Sequence, residues 1–507
     1  MPKSKLSDFQ IVIHNSIVLL VRESSLWTLN AVLVLFLPRY LGDEGLGRLQ
    51  FALSFVAVFS IGMGLGSRQF LLKEIARDHA QVEKYIGAAI GMRVIMASII
   101  LGLIGVIIWL TNYSAEAQIV VMLAAAAMII TSFSDIIRAA FHGLEDMAKP
   151  AVAEVAQKLV IVILGVTVLV MSYGLVLYSV VLVMGAIIQL AINYWNLQKT
   201  GFWRINFDMD KMKRLLVGGG PFLFIAGLLI AYNQGVVIML RMFTDDAVVG
   251  WYAAANGLYQ SGQVFTLLVT TALLPTMSRT NFINTPAAFL IARKSTVVLL
   301  MVVVPVAFAI SILSGKIIDL LHYPAVFRNS VPMLTILALS IPVTATLTLL
   351  GTIAIASDRQ KVWSIALFVT VLTNLLINLF TIPYFQNNYG NGGIGAALTI
   401  LVTECAMVGV GVRLIPKGIL TASTAFIVMK IFAAGAVMIL AGLWADHERL
   451  GLRVQLPVMA IVYASLVLAF RVIELKEIRS LSKHLITYVT PHKNFKARDG
   501  EVAHEIP

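Results

Sequence analysis

Apolar runs long enough to cross a bilayer recur along this chain with only short polar connectors between them. A helix needs about 20 such residues to span the hydrocarbon layer. Windows of this kind fall near 11–37, 51–70, 85–110, 118–140, 152–172 and 174–196. A second set falls near 215–240, 251–275, 295–314, 331–356, 361–385, 393–414, 423–444 and 454–473. No water is available inside a bilayer to pair backbone N–H and C=O groups, so consecutive runs of this length must be helices. Composition agrees: 59% of the 507 residues are hydrophobic and 13% charged, where a soluble domain averages about half and about a quarter. The expected fold class is therefore an all-α polytopic membrane protein with about fourteen transmembrane helices.

The connectors set the orientation through the excess of Lys and Arg on the cytoplasmic side. Lys3 and Lys5 precede the first span, and alternate connectors carry Lys73, Arg77 and Lys84, then Lys199 to Arg214, then Arg279, Arg293 and Lys294. Arg359 and Lys361, then Arg413 and Lys417, continue the series, while the opposite connectors are poorer in basic residues. This predicts a cytoplasmic N-terminus and, after an even number of spans, a cytoplasmic basic C-terminus. The first run is too long for a signal-peptide core and has no A-x-A site after it, so it reads as uncleaved. Net charge is +12, which loops facing anionic lipid account for without nucleic acid.

Two connectors resemble each other. "LPRYLGDEGLGRLQFA" (37–52) and "LRMFTDDAVVGWYAAA" (240–255) align at an offset of 203 residues, which sets Asp43 on Asp246, Gly47 on Gly250 and Asn30 on Asn233. The offset predicts two related halves of six spans. An even count makes both halves enter from the same side, as in transporters whose repeats are related by an axis along the membrane normal. The expected organisation is an N-lobe at 1–197, an interfacial cytoplasmic linker at 198–214, a C-lobe at 215–414, two further spans at 415–473 and a cytoplasmic tail at 474–507. Phe202, Trp203 and Phe207, set among basic residues, suit a linker at the membrane surface. Within the tail, Ile478, Leu481, Leu485 and Ile486 suit an amphipathic helix.

Ionisable groups inside spans mark function because burying them in lipid is unfavourable. They concentrate in the first half: Arg22, Glu23, Arg68, Arg93, Asp135, Arg138, Glu154 and Lys158. Pairing along a helix is the plain explanation for Asp135 with Arg138 and for Glu154 with Lys158, at i,i+3 and i,i+4. Arg22 and Glu23 are adjacent and are expected to point apart, and Arg93 has no acidic neighbour on its own helix. Arg22 and Arg93, with Arg138 and Lys158 as weaker members, are thus candidates for an anionic headgroup, since arginine holds its charge and offers a fork of donors to phosphate. Glu23, Asp135 and Glu154 are the ion-coupling candidates. The second half carries amides instead: Asn233 and Gln234 in span seven, Asn256, Gln260 and Gln263 in one stripe of span eight, and Asn374 with Asn378 in span eleven. These residues either join helices by hydrogen bonds or line a cavity for sugar hydroxyls.

Other chemistries find no support in the sequence. "GMGLG" at Gly62 lies inside an apolar run and is no phosphate loop. The histidines have no metal-ligand spacing, no nucleophile elbow occurs, and Cys405, the single cysteine, has no disulfide partner. Neither a cofactor, a bound metal nor an enzymatic activity is expected.

"RYLGDEGLGRLQFALSF" with "LLKEIAR", then "FHGLEDMAKPA", "VVGWYAAANGLYQ" with "LLPTMSR", "AIASDRQK" and "TNLLINLFTIPYFQNNYGNGGIGAAL" occur in that order between Arg39 and Leu398. Together they resemble the polysaccharide-transport flippases, the Wzx-like branch of the multidrug/oligosaccharidyl-lipid/polysaccharide exporter superfamily. The resemblance implies two six-helix lobes of the multidrug-exporter type with two helices appended. It also implies flipping of undecaprenyl-diphosphate-linked oligosaccharides across the bacterial inner membrane by alternating access. Membrane lipids and polysaccharide polymerase or export proteins are the implied partners. The sequence departs from the pattern at Gln234, where relatives often carry an Asp. A multidrug–cation antiporter of the same fold is the chief rival, but it would prefer an acidic cavity. A membrane glycosyltransferase or polymerase would need a large external loop, and none is expected here.

Overall fold

In the computed structural model the described residues are 8–472, apart from 112, 203–206, 267–285, 417–418 and 420. Lys3, Lys5, Trp203, Arg204, Arg279, Lys417, the end of span eight and the basic tail with its amphipathic stretch lie outside them. All helices and turns described here are α or 3₁₀. The α-helices are α1 (Asp8–Gly64), α2 (Ser67–Arg77), α3 (Val82–Leu110), α4 (Ala115–Gly143), α5 (Ala148–Val170), α6 (Gly174–Thr200) and α7 (Met209–Phe243). They continue as α8 (Asp246–Gly262), α9 (Pro286–Leu320), α10 (Val331–Ala356), α11 (Gln360–Tyr389), α12 (Gly392–Leu414), α13 (Ala422–His447) and α14 (Leu452–Ala469).

Twelve helical stretches among the described residues are long and apolar enough to cross a membrane, against the expected fourteen. One of the two missing spans is inside α1, whose stretch Ile13–Gly64 covers 52 residues, roughly 78 Å at 1.5 Å per residue. That is more than twice the hydrocarbon thickness of about 30 Å. The helix breaks at Gly42, where φ is 68° and ψ −176°, a conformation essentially confined to glycine. Val34, before the break, approaches Gly257 of α8, and Ser54, after it, bonds Gln234 of α7. The chain therefore turns back at Gly42, and α1 is two antiparallel spans. The other missing span is the eighth, described only as far as residue 266.

Helices α1 to α12 belong to one compact unit. Within it α1 to α6 are called the first group and α7 to α12 the second, and the two meet along α1 with α7 and α8 and along α7 with α2 and α3. Leu49, Val56, Ile104, Val121 and Tyr178 belong to a core joining α1, α3, α4 and α6. Val237, Leu240, Val249, Leu334 and Ala396 do the same for α7, α8, α10 and α12. In lipid, interhelical packing and hydrogen bonds, more than exclusion from water, hold such cores together. The expected linker 198–214 is partly helical: α6 runs to Thr200 and α7 starts at Met209. Met212 and Leu215 of α7 pack with Leu71, Ile86 and Ile137 of the first group.

The described residues after Ile419 form a separate compact unit. Within it, Gln455 donates to the Gly442 carbonyl at 2.8 Å, and the Lys430 ammonium donates to the Phe470 carbonyl at 2.9 Å. Lys430, the one lysine embedded in a late span, is thereby hydrogen-bonded inside its own unit.

Candidate functional site

Five of the embedded charges of the first group, Arg22, Glu23, Asp135, Arg138 and Glu154, form one chain of ion pairs. Glu154 of α5, 7% exposed, meets Arg22 Nε at 2.6 Å with one oxygen and Arg138 Nη1 at 2.5 Å with the other. Arg138 also pairs with Asp135 at 2.6 Å, and Arg22 with Glu23 at 3.2 Å. Two sequence expectations are corrected here. Arg22 and Glu23 do meet, because side chains of this length can bend around a shared helix edge. Glu154 does not pair with Lys158, because its oxygens are taken by arginines from α1 and α4, and a fixed guanidinium fork satisfies a carboxylate better than a flexible ammonium. The expected pair of Asp135 with Arg138 is present.

Three embedded cations stay outside this chain. Lys158 and Arg68 form no ion pair among the described residues. Arg93 is 4% exposed and makes no hydrogen bond or ion pair among them, its Nε included. It borders a cavity of about 420 Å³ within the first group. Asp135, Ser60, Thr131, Ser132 and Gln157 supply the other polar groups of the wall, and Val56, Met63 and Ile161 supply apolar surface. Pockets of roughly 300–1,000 Å³ hold small ligands. The space suits a compact anionic headgroup and is too small for a long glycan. The wall comes from α1, α3, α4, α5 and α6, so this cavity lies inside one helix group rather than between the two. Arg22, Arg138 and Lys158 are not among its lining residues.

The amides of the second group are dispersed. Asn233 donates to the Leu229 carbonyl of its own helix at 2.7 Å, and Gln234 accepts from Ser54 of α1 at 2.8 Å. Asn256 is half-buried and Gln260 exposed. Gln263 donates to the Tyr259 hydroxyl at 2.8 Å. Asn374 donates to Thr403 of α12 at 3.0 Å, and Asn378 donates to Asn374 at 3.0 Å, so this pair joins helices. Sequence reasoning passed over the centre of this group, Glu404 on α12, which is 3% exposed. Its oxygens accept from Tyr232 at 2.7 Å and Thr344 at 2.6 Å. The available signal was its standing as a lone embedded carboxylate after residue 215.

The two groups meet along α1, and two backbone contacts mark the ends of its second arm. At the end formed by the repeated connectors, Gly47 packs on the backbone of Asp246, and Gly250 on that of Asp43. Around this contact Arg48 pairs with Asp246 at 3.2 Å, Glu116 at 2.7 Å and Glu44 at 2.9 Å. Arg241 pairs with Asp246 at 2.7 Å, and Trp251 donates to Asp43 at 3.0 Å. At the far end, a β-carbon on Gly66 would stand 2.1 Å from the Gly219 carbonyl oxygen, and one on Gly219 2.3 Å from that of Leu65. The first end is sealed by charge around a backbone contact, and the second by backbone contact with the Phe70 ring packed on Gly218.

Comparison with known proteins places this architecture. A family described as polysaccharide biosynthesis protein matches residues 12–281. A curated relative, "Putative O-antigen transporter" of Escherichia coli (strain K12), is 25% identical over 205 residues, 40% of this chain and 47% of that protein. The match thus spans about half the length of the relative. Among solved structures, the lipid II flippase MurJ in an inward closed conformation is similar with a TM-score of 0.71 at 15% identity, covering 90% of this chain and 99% of the other. An inward-facing multidrug resistance MATE family transporter of the MOP superfamily follows with a TM-score of 0.56 at 15% identity, covering 77% and 94%.

Proposed function

Because the chain belongs to the polysaccharide biosynthesis protein family, we propose that it is a flippase for a lipid-diphosphate-linked oligosaccharide in surface polysaccharide assembly. The observation that carries this reading is Arg93, a buried guanidinium with no hydrogen bond or ion pair among the described residues, at the wall of a cavity that it shares with Asp135. A buried, unpaired charge is strongly unfavourable, and an anionic cargo group would supply the missing partner. The diphosphate binds there, with Thr131 and Gln157 as further donors, while the Ser60 and Ser132 hydroxyls donate to the Ala57 and Ile129 carbonyls. Arg22 and Arg138, with Glu154 between them, set the electrostatics nearby, and Lys158 adds a positive charge with no ion pair among the described residues. The glycan follows outside this small cavity, against the amides Asn233, Gln234, Asn256, Gln260 and Gln263, while the lipid tail stays in the bilayer.

Transport proceeds by alternating access. Opening one end breaks the Arg48–Asp246 ion pair and the Trp251–Asp43 hydrogen bond between the groups, and opening the other separates Gly66 from Gly219. The cargo shifts the balance only as far as it binds one state more tightly than the other. The protein sits in the bacterial inner membrane with both termini cytoplasmic, the lobes divided at 198–214. Polymerase and export proteins are its partners on the far side. The chain does no covalent chemistry in this scheme. A cation antiporter of the same fold is the rival, but an unpaired arginine in the cavity wall disfavours cationic cargo.

The test is export of surface polysaccharide by a flippase-deficient strain carrying Arg93→Ala at matched membrane expression. Export should fall by about 100-fold, the upper end expected for losing a charge-assisted bond of 1.5–3 kcal/mol. Arg93→Lys should restore only part of it, keeping charge but losing the fork. Normal export by the alanine variant would remove Arg93 from the site.

A further inference from the structure

We propose that Glu404 is a proton-binding site, and that loading it turns the hydroxyl of Thr344 from the carboxylate to a backbone carbonyl. Four helices of the second group converge on this carboxyl. Tyr232 of α7 donates to Oε1 at 2.7 Å and Thr344 of α10 to Oε2 at 2.6 Å. Tyr259 and Gln263 of α8 stand behind Thr344. The titratable groups facing Glu404 are Tyr232 from α7 and Tyr252 and Tyr259 from α8, with Cys405 next to it on α12. Helix α10 contributes only the neutral Ser340 and Thr344, and α11 reaches α12 here through the amide of Asn374. No lysine, arginine or histidine pairs with Glu404 among the described residues, whereas Glu23, Asp135 and Glu154 all meet arginines.

Counting hydrogens shows why both protonation states fit. Tyr259 accepts from Gln263 at 2.8 Å, which leaves its own hydrogen free to point to Thr344 Oγ1 at 3.1 Å. Thr344 then has one hydrogen and two acceptors in reach, Glu404 Oε2 at 2.6 Å and the Ser340 carbonyl at 3.0 Å. With Glu404 ionised, the hydrogen goes to Oε2. When a proton adds to Oε2, the carboxyl O–H donates to Thr344 Oγ1, and the threonine hydrogen turns to Ser340. Thr344 then accepts two bonds and donates one, which is the full capacity of a hydroxyl. Every donor keeps an acceptor and no heavy atom has to move. A hydroxyl rotor beside a carboxyl with no cationic partner can therefore hold or release a proton at low structural cost.

The site also has an outlet. Tyr232 lies two residues before Gln234, whose amide oxygen accepts from Ser54 of the first group at 2.8 Å. A change of charge at Glu404 acts on α7 at the point where that helix crosses to the other group.

The proposal is independent of the cargo, and so is its test. Infrared difference spectra of the full chain in lipid nanodiscs, titrated from acidic to alkaline pH, should contain a carboxylic-acid C=O band that disappears and is missing from Glu404→Gln. Thr344→Val keeps the carboxyl and the side-chain volume but removes the rotor, and should displace the midpoint of that band by about one pH unit, a tenfold change in proton affinity. Identical titrations of wild type and Glu404→Gln would overturn the site. A Thr344→Val midpoint equal to wild type would overturn the switch. If Glu404→Gln does not fold, the Thr344→Val titration decides the question alone.

Discussion

Gly47 and Gly250 make the same contact in opposite senses. A β-carbon on Gly47 would stand 1.8 Å from the Asp246 carbonyl oxygen, and one on Gly250 would stand 2.0 Å from that of Asp43. These are the residues that the 203-residue offset makes equivalent. A pairing in which residue i meets j′ and j meets i′ is the signature of a two-fold relation. Each half of the chain thus offers the other the same glycine and the same carbonyl.

Gly47→Ala or Gly250→Ala puts a methyl group into backbone that cannot yield as a side chain could. Overpacking commonly destabilises by about 1–3 kcal/mol, and here relief requires the groups to separate. Each variant should lower the thermal midpoint and make a cysteine at Leu46 accessible to a thiol reagent. Unchanged labelling and midpoint would mean that the contact is not part of a seal.

The Arg48 cluster should act as an electrostatic latch. Its pairs are partly exposed, so each contributes little, roughly 0.2–1 kcal/mol. Three carboxylates on one guanidinium still repel one another once it is removed. Arg48→Ala should raise labelling at the same end, and salt should raise it in the wild type while changing the variant less, since ions screen exposed pairs. Equal salt responses would dissociate the latch from opening.

Glu154→Gln deprives Arg22 and Arg138 of their common partner. Removing one member of a buried pair costs about 3 kcal/mol or more, so this variant should lose stability even where expression is normal. Lys158→Gln, on the same helix and with no ion pair among the described residues, breaks no such pair and should lose less stability than Glu154→Gln. Thermal unfolding of the two variants in detergent compares them directly.

Two sets of carboxylates compete for ion coupling: Glu23, Asp135 and Glu154 in the first group, and Glu404 in the second. Flux into vesicles with and without proton and sodium gradients separates them. Glu404→Gln should remove the response to a proton gradient, while Glu23→Gln and Asp135→Asn should keep it. The reverse pattern would return coupling to the first group.

The membrane class and the helical content follow from the apolar runs alone, because a bilayer leaves the backbone no other way to satisfy its hydrogen bonds. The matched glycines of the two connectors were also readable, since a close backbone contact requires a small residue on each side. Apart from Asp135 with Arg138, the partners of the buried charges were not readable. Glu154 has Lys158 one turn away on its own helix, yet meets Arg22 and Arg138 on two others. Periodicity states which residues share a face but not which face a distant helix will bring against it. For the same reason Arg93 and Arg22 look alike in sequence, and only packing leaves one unpaired beside a cavity and the other in an ion pair. Glu404 is the sharpest case: a lone embedded carboxylate in the sequence becomes, once α7, α8 and α10 close around it, a carboxyl held by neutral hydroxyls. Local sequence determines that a span exists, whereas side-chain partners depend on helix rotation and neighbour choice, which only the assembled bundle fixes.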